Sequence, residues 1–210
     1  GRTLMPGLID VHIHAYAADM DLQNVDRMGA SYRAAHAVRM LNHALECGFT
    51  SVRDVAGGDW GLWRAIEDGL IRGPRFFYGG RAISMTGGHG DFRPAHVEGG
   101  PHEHSMCSCG GSNSLTVIAD GVDHCVAAVR EQFRRGAHMI KLMASGGVVS
   151  PTVPIWLDHY REDEIPAIVA GCAWCADPCS PGRTPKKLSV STYEALAGVG
   201  SPSPGLTWTS

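Results

Sequence analysis

The sequence predicts an α/β fold built from parallel βαβ units. Three observations lead there. Short apolar runs of strand length recur at 8–12, 49–54, 75–78 and 137–142. Segments with helical spacing follow them. Gly and Pro punctuate the joints. Strand then helix, repeated, requires parallel pairing, because a crossover helix carries the chain back to the same end of the sheet. About four βα units result, which is half of an eight-stranded (β/α) barrel or a small open sheet.

Each element has its own justification. After the Pro6-Gly7 turn, Leu8-Ile9-Asp10-Val11-His12 reads as a short buried strand. Ala34, Val38, Leu41 and Leu45 fall on one stripe, so a helix is expected over 31–47, with Gly48 as its C-cap. Residues 49–54 form the second strand. A second helix is expected over 60–71, stopped by Gly73-Pro74, and the third strand, 75–78, ends at Gly79-Gly80. A long irregular segment rich in Gly, His and Pro follows over about 84–115. Residues 120–135 read as the third helix, with Gly136 after it, and 137–142 as the fourth strand. The fourth helix starts at 162 and runs to 169, with Pro166 tolerable in its first turn.

Past 169 the character changes. Residues 170–210 hold five Pro, five Gly and six Ser, with no clear strand. The sequence therefore divides into a folded part, 1–169, and a tail, 170–210, expected to be poorly ordered. A reading-frame shift near position 170 would produce such a change. Position 1 is not Met, which fits a piece of a longer chain.

Composition narrows the function. The chain has 210 residues, 44% of them hydrophobic, with 18 basic and 21 acidic residues and a formal charge of −3. That is a soluble, globular balance. It argues against a nucleic-acid partner or an anionic membrane surface, which need a basic patch. No apolar run approaches the roughly 18 residues of a membrane span, and no signal peptide is visible. The seven cysteines, Cys47, Cys107, Cys109, Cys125, Cys172, Cys175 and Cys179, are odd in number. Reduced thiols and a cytoplasmic location are expected.

The sharpest chemical feature is His12-Ile13-His14 at the end of the first strand. Positions i and i+2 share one face of a strand, so two imidazoles point together. The C-terminal ends of strands are where α/β proteins place their sites. Neutral imidazole suits zinc and similar ions. Asp10 shares that face and is placed to brace the pair. The second feature is Lys141, in the apolar run Met139-Ile140-Lys141-Leu142-Met143. A buried lysine loses affinity for its proton. Its free amine can form a Schiff base, or take up carbon dioxide as a carbamate whose two oxygens bridge metal ions. The third is Thr86-Gly87-Gly88-His89-Gly90-Asp91, where glycines allow close backbone approach to a ligand and His89 can meet substrate or metal. Asp54, at the end of the second strand, reads as a supporting or ion-paired residue.

Weaker signals remain. Pro101-His102-Glu103-His104 and Cys107-Ser108-Cys109 are ligand-like in composition but lack zinc-finger spacing. Cys172 and Cys175 are spaced as a redox pair without a redox context. Trp60 and Trp63 read as core.

Three motifs, in this order, carry a resemblance. Pro6-Gly7-Leu8-Ile9-Asp10-Val11-His12-Ile13-His14 resembles the first-strand signature of the amidohydrolase superfamily. Ser84-Met85-Thr86-Gly87-Gly88-His89-Gly90-Asp91 and Ile140-Lys141-Leu142-Met143-Ala144-Ser145-Gly146-Gly147-Val148 are similar to its imidazolonepropionase-like and Xaa-Pro dipeptidase-like branch. The resemblance covers about 1–169. It implies a metal-dependent hydrolase on a (β/α)8, TIM-like barrel, present here as about four units. It implies that His12 and His14 bind a divalent metal, usually zinc, as one or two ions. It implies that Lys141, carboxylated in many members, is both a metal ligand and a catalytic residue, and that His89 contacts substrate. Metal-bound hydroxide would then attack a scissile carbonyl carbon. Members also supply two histidines and an aspartate from later strands. No histidine follows His159, and Asp177 stands in an unsuitable Pro-Cys context. Impaired activity is therefore expected.

Three functions follow. The first is hydrolysis of a carbon–nitrogen bond in a small amide, cyclic amide or dipeptide. The second is a non-catalytic metal-binding or interaction remnant. The third, a Schiff-base lyase using Lys141, leaves the histidine pair idle. The expected partner is a small-molecule substrate, with neither nucleic acid nor membrane, and a homo-oligomer is open.

Overall fold

The computed structural model describes residues 2–96, 115–148, 150, 153–175 and 187–191. Its elements run β1 (Leu8–Ile13), α1 (Leu22–Arg27), α2 (Ala30–Glu46), β2 (Phe49–Asp54), α3 (Trp60–Glu67), β3 (Arg75–Tyr78), β4 (Ala82–Ser84), β5 (Thr116–Ile118), α4 (Val122–Arg134), β6 (Met139–Met143), α5 (Glu164–Cys175) and β7 (Lys187–Ser191). Every strand pairing is parallel. No described helix is long and apolar enough to cross a membrane.

The expected α/β class with parallel strands is observed, but the strands form two sheets rather than one row. One sheet has the order β1-β2-β3 and the other β5-β4-β6-β7. The break falls at Gly79-Gly80, where Gly80 takes a φ of +68° that side chains resist. Gly79 N donates to Asp54 O, Gly57 N to Gly80 O, and His138 N to Tyr78 O. The last of these bonds links the end of β3 to the residue before β6, and so joins the two sheets.

Four elements go beyond the expectation: α1, β4, β5 and β7. Helix α1 is short, and Asp21 starts it by accepting from Gln23 N at 3.0 Å and Asn24 N at 3.4 Å. Strands β4 and β5 bound the segment expected to be irregular. Strand β7 pairs along the whole of β6, and α5 runs six residues past 169. Strand-helix alternation therefore continues into the segment expected to be a tail. Helix α3 stops at Glu67 rather than at 71, because Gly69, at φ +69°, turns the chain.

The core lies between the strands and α2, α4 and α5. It contains Val52, Phe76, Tyr78, Ile83, Ile140 and Leu142, with Leu41, Val129 and Ile168 from the helices. Each such side chain contributes roughly 1.5–3 kcal/mol by leaving water. Strand β6 is buried at all five positions, as a parallel strand covered on both faces should be. Strand β1, expected to be buried, is not. Ile9 is 66% exposed, and among the described residues β2 is its only neighbouring strand.

Candidate active site

The tip of β1 is held by one buried carboxylate. Asp54, at the end of β2, has no exposed surface. It accepts hydrogen bonds from Ala15 N at 2.6 Å, Gly58 N at 2.9 Å and Ala56 N at 3.1 Å. Burial raises its pKa to about 7 against the pull of those three N–H groups. Val55 N also donates to Ile13 O at 3.0 Å. The expected supporting role of Asp54 thus takes the form of a backbone clamp. Asp10 braces His12 from the other side, its Oδ1 accepting from His12 N at 3.0 Å.

His12 and His14 come out side by side, as the alternation of a strand requires. Their ring centroids lie 5.3 Å apart with planes inclined at 70°. Burial, then neighbouring His12, Lys141 and His89, lowers the pKa of His14 to about 4. Burial, Lys141 and Arg53 lower that of His12. Both rings are neutral near pH 7, with lone pairs free to coordinate.

Lys141 sits in the middle of β6, 3% exposed. Burial, with the guanidinium of Arg53, lowers its pKa to about 8. At pH 7 roughly a tenth of such an amine is free of its proton, far more than for an exposed lysine.

His89 lies in the loop after β4. That loop is tied by Gly90 N to Ser84 Oγ at 3.0 Å, by Gly87 N to Asp91 Oδ2 at 2.8 Å, and by the Asp91–Arg93 ion pair at 2.6 Å. Its ring packs on the backbone of Gly147, where a Cβ would overlap the imidazole. Burial, then His159 and Lys141, lowers the pKa of His89. Its Nδ1 is buried and finds no hydrogen-bond partner among the described residues.

The structure brings all four expected side chains together. His12, His14, His89 and Lys141 line one cavity of about 170 Å³, with Met143, Ser145, Gly147 and Ile155. It opens beyond the C-terminal ends of β1, β4 and β6, the end where such sites form.

One residue near the site was missed. His159 is 3% exposed, and its Nε2 lacks a hydrogen-bond partner among the described residues. Its Nδ1 lies 3.2 Å from Met143 O, and its N donates to Ala144 O. No sequence motif marks it. Its place depends on a hairpin-like return in which Ser145 pairs antiparallel with Asp158. The ligand-like residues His102, Glu103, His104, Cys107 and Cys109 lie outside the described residues, as do Asp177 and Cys179. Cys172 is a buried residue of α5, in the same helix as Cys175.

The donor set suits a divalent cation in kind: two neutral imidazoles and a lysine that loses its proton easily. Among the described residues no group of three His, Cys, Asp or Glu side chains comes together. Such an ion would therefore depend on Lys141 as well as on the histidine pair.

Comparison with known proteins gives a consistent result. The sequence matches the amidohydrolase family over residues 3–173. It is 37% identical over 191 residues to the ochratoxinase of Aspergillus niger, covering 81% of this chain and 37% of that protein. The chain thus spans under two-fifths of the length of this curated relative. Among solved structures, a prolidase complexed with N-methylphosphonate-L-proline is 40% identical with a TM-score of 0.80, covering 92% of this chain and 44% of that one. The A. niger ochratoxinase structure is 35% identical with a TM-score of 0.70, covering 82% and 41%.

Proposed function

The chain belongs to the amidohydrolase family, and from that premise we propose that it carries one side of the active site of a hydrolase cleaving carbon–nitrogen bonds. The substrates are small amides, cyclic amides or dipeptides. One observation carries the reading: His12, His14, His89 and Lys141, from three separate strands and loops, meet at one cavity.

The geometry supports the following roles. His12 and His14 hold a divalent metal, with zinc suited to imidazole donors. Such an ion supplies a water with a pKa near 7 and polarises a carbonyl. Lys141 would complete the ligand set once its free amine had added to carbon dioxide, giving a carbamate anion and releasing one proton. His89, with Nδ1 unpartnered among the described residues, presents a group to a substrate oxygen or nitrogen. Gly147 leaves room for that ring.

A second reading has one observation in its favour. No Asp or Glu lines the cavity among the described residues, so no carboxylate there carries the proton from water to the leaving amine. On that reading the chain binds metal without turnover. The test is hydrolysis of Xaa-Pro dipeptides and N-acyl amino acids by the zinc-loaded chain, beside its Lys141→Met variant. Turnover that the variant lacks supports the hydrolase. Zinc binding with no turnover of either substrate class supports the second reading.

A further inference from the structure

A second and larger cavity, about 1050 Å³, shares no lining residue with the first. On one side it is walled by the first turn of α2, and on the other by the loop before α3. Helix α2 is 17 residues long, yet its N-cap is Gly29, no side chain caps it, and its first turn holds no acidic residue. Its N-terminal partial positive charge therefore faces the cavity without a counter-charge from its own sequence.

Arg33, in that first turn, is only 9% exposed and lines the same cavity. Its Nε and Nη1 are buried with no hydrogen-bond partner among the described residues. A guanidinium cannot shed its proton in a protein, so a buried one calls for an acceptor. Arg81, Arg134 and Arg135 also line the space, Arg134 being paired with Glu131. Burial, then Arg135, lowers the pKa of Arg81; Asp26 and Glu131 oppose the shift and Arg33 adds to it, so Arg81 lies within reach of the guanidinium groups of both Arg135 and Arg33. The carboxylate lining this space, Asp59, has its oxygens engaged by Leu62 N at 2.8 Å and Tyr16 Oη at 3.0 Å. Part of the wall is apolar and aromatic, with Trp60, Tyr78 and Val38 among its residues.

A helix N-terminus beside a buried, unsatisfied arginine suits an oxyanion, and Trp60 and Tyr78 offer a flat apolar surface. We propose that this cavity binds a small apolar molecule carrying an oxyanion, phosphate or carboxylate, with the charged end against Arg33 and the first turn of α2. This site is independent of the hydrolytic one.

The test is calorimetric titration of the full chain with phenyl phosphate, phenylacetate and the neutral 2-phenylethanol. At least one anion should bind saturably, and which one binds identifies the head group. 2-Phenylethanol should bind far more weakly. Arg33→Met should weaken the anion about tenfold or more, the scale of one charged hydrogen-bonding pair, without lowering the melting temperature. If that variant fails to fold, Arg81→Met serves in its place and should weaken the anion while added salt weakens binding to the parent chain. No saturable binding of either anion would overturn the proposal. So would equal binding by the parent and the arginine variants, or an Arg33→Met chain that melts lower yet binds unchanged.

Discussion

Removing the Asp54 side chain should loosen the tip of β1 and the histidine pair with it. Three buried N–H groups, those of Ala15, Ala56 and Gly58, depend on this carboxylate. Leaving a buried donor unsatisfied costs about 1–3 kcal/mol. At about 1–2 kcal/mol each, the three bonds give roughly 3–6 kcal/mol. Alanine also removes the burial cost that lifts the carboxyl to about 7, so the lower figure, about 3 kcal/mol, is expected for Asp54→Ala. Asparagine keeps the oxygen that serves Ala56 and Gly58 and loses the bond to Ala15, so Asp54→Asn should cost about 1–2 kcal/mol. With a urea slope of about 3 kcal/mol per molar, the alanine variant's midpoint falls by about 1 M. Equilibrium urea unfolding of the three proteins measures this. A loss under about 1 kcal/mol for Asp54→Ala, or a larger loss for Asn than for Ala, would refute the clamp.

Further outcomes follow from the same geometry. Gly147→Ala puts a methyl group into the His89 ring, which should cost about 1–3 kcal/mol and shift the His89 ring resonances in an NMR spectrum; unchanged resonances would count against the packing. The pKa of His14 falls from 6.5 unfolded to about 4 folded, so the unfolded chain takes up the proton first. Its stability contribution is complete above about pH 6.5 and is lost as pH falls toward 4, by up to about 3 kcal/mol. Unfolding titrations at pH 7 and pH 4.5 should show His14→Gln with a flatter acid loss than the parent, and an identical slope would contradict the assignment. Lys141→Met exchanges a buried amine for an apolar chain of similar length, so its melting temperature should hold or rise, while a carbamate carbon signal seen with labelled bicarbonate disappears.

The parts of the fold visible in sequence are those with local signatures. The spans 49–54 and 75–78 match β2 and β3 because glycine and proline bracket them. Strand β6 shows as an apolar run with one lysine. Strands β4 and β5 have three residues each, too few to establish an alternation, and they exist through pairing with each other across more than thirty positions. Strand β7 is defined by its neighbour β6, in a segment whose composition suggests a loop. At the site, the shared face of His12 and His14 follows from strand geometry alone, and Lys141 stands out against its apolar surroundings. His159 and Arg33 could not be read this way. A histidine in a loop and an arginine on a helix both read as solvated, and only packing shows that each is buried.

Zinc titration by calorimetry tests the central claim most directly, on the parent chain and on His12→Asn/His14→Asn and Lys141→Met. The account predicts saturable binding by the parent, none by the double histidine variant, and weakened binding without the lysine. Equal zinc binding by all three would contradict it.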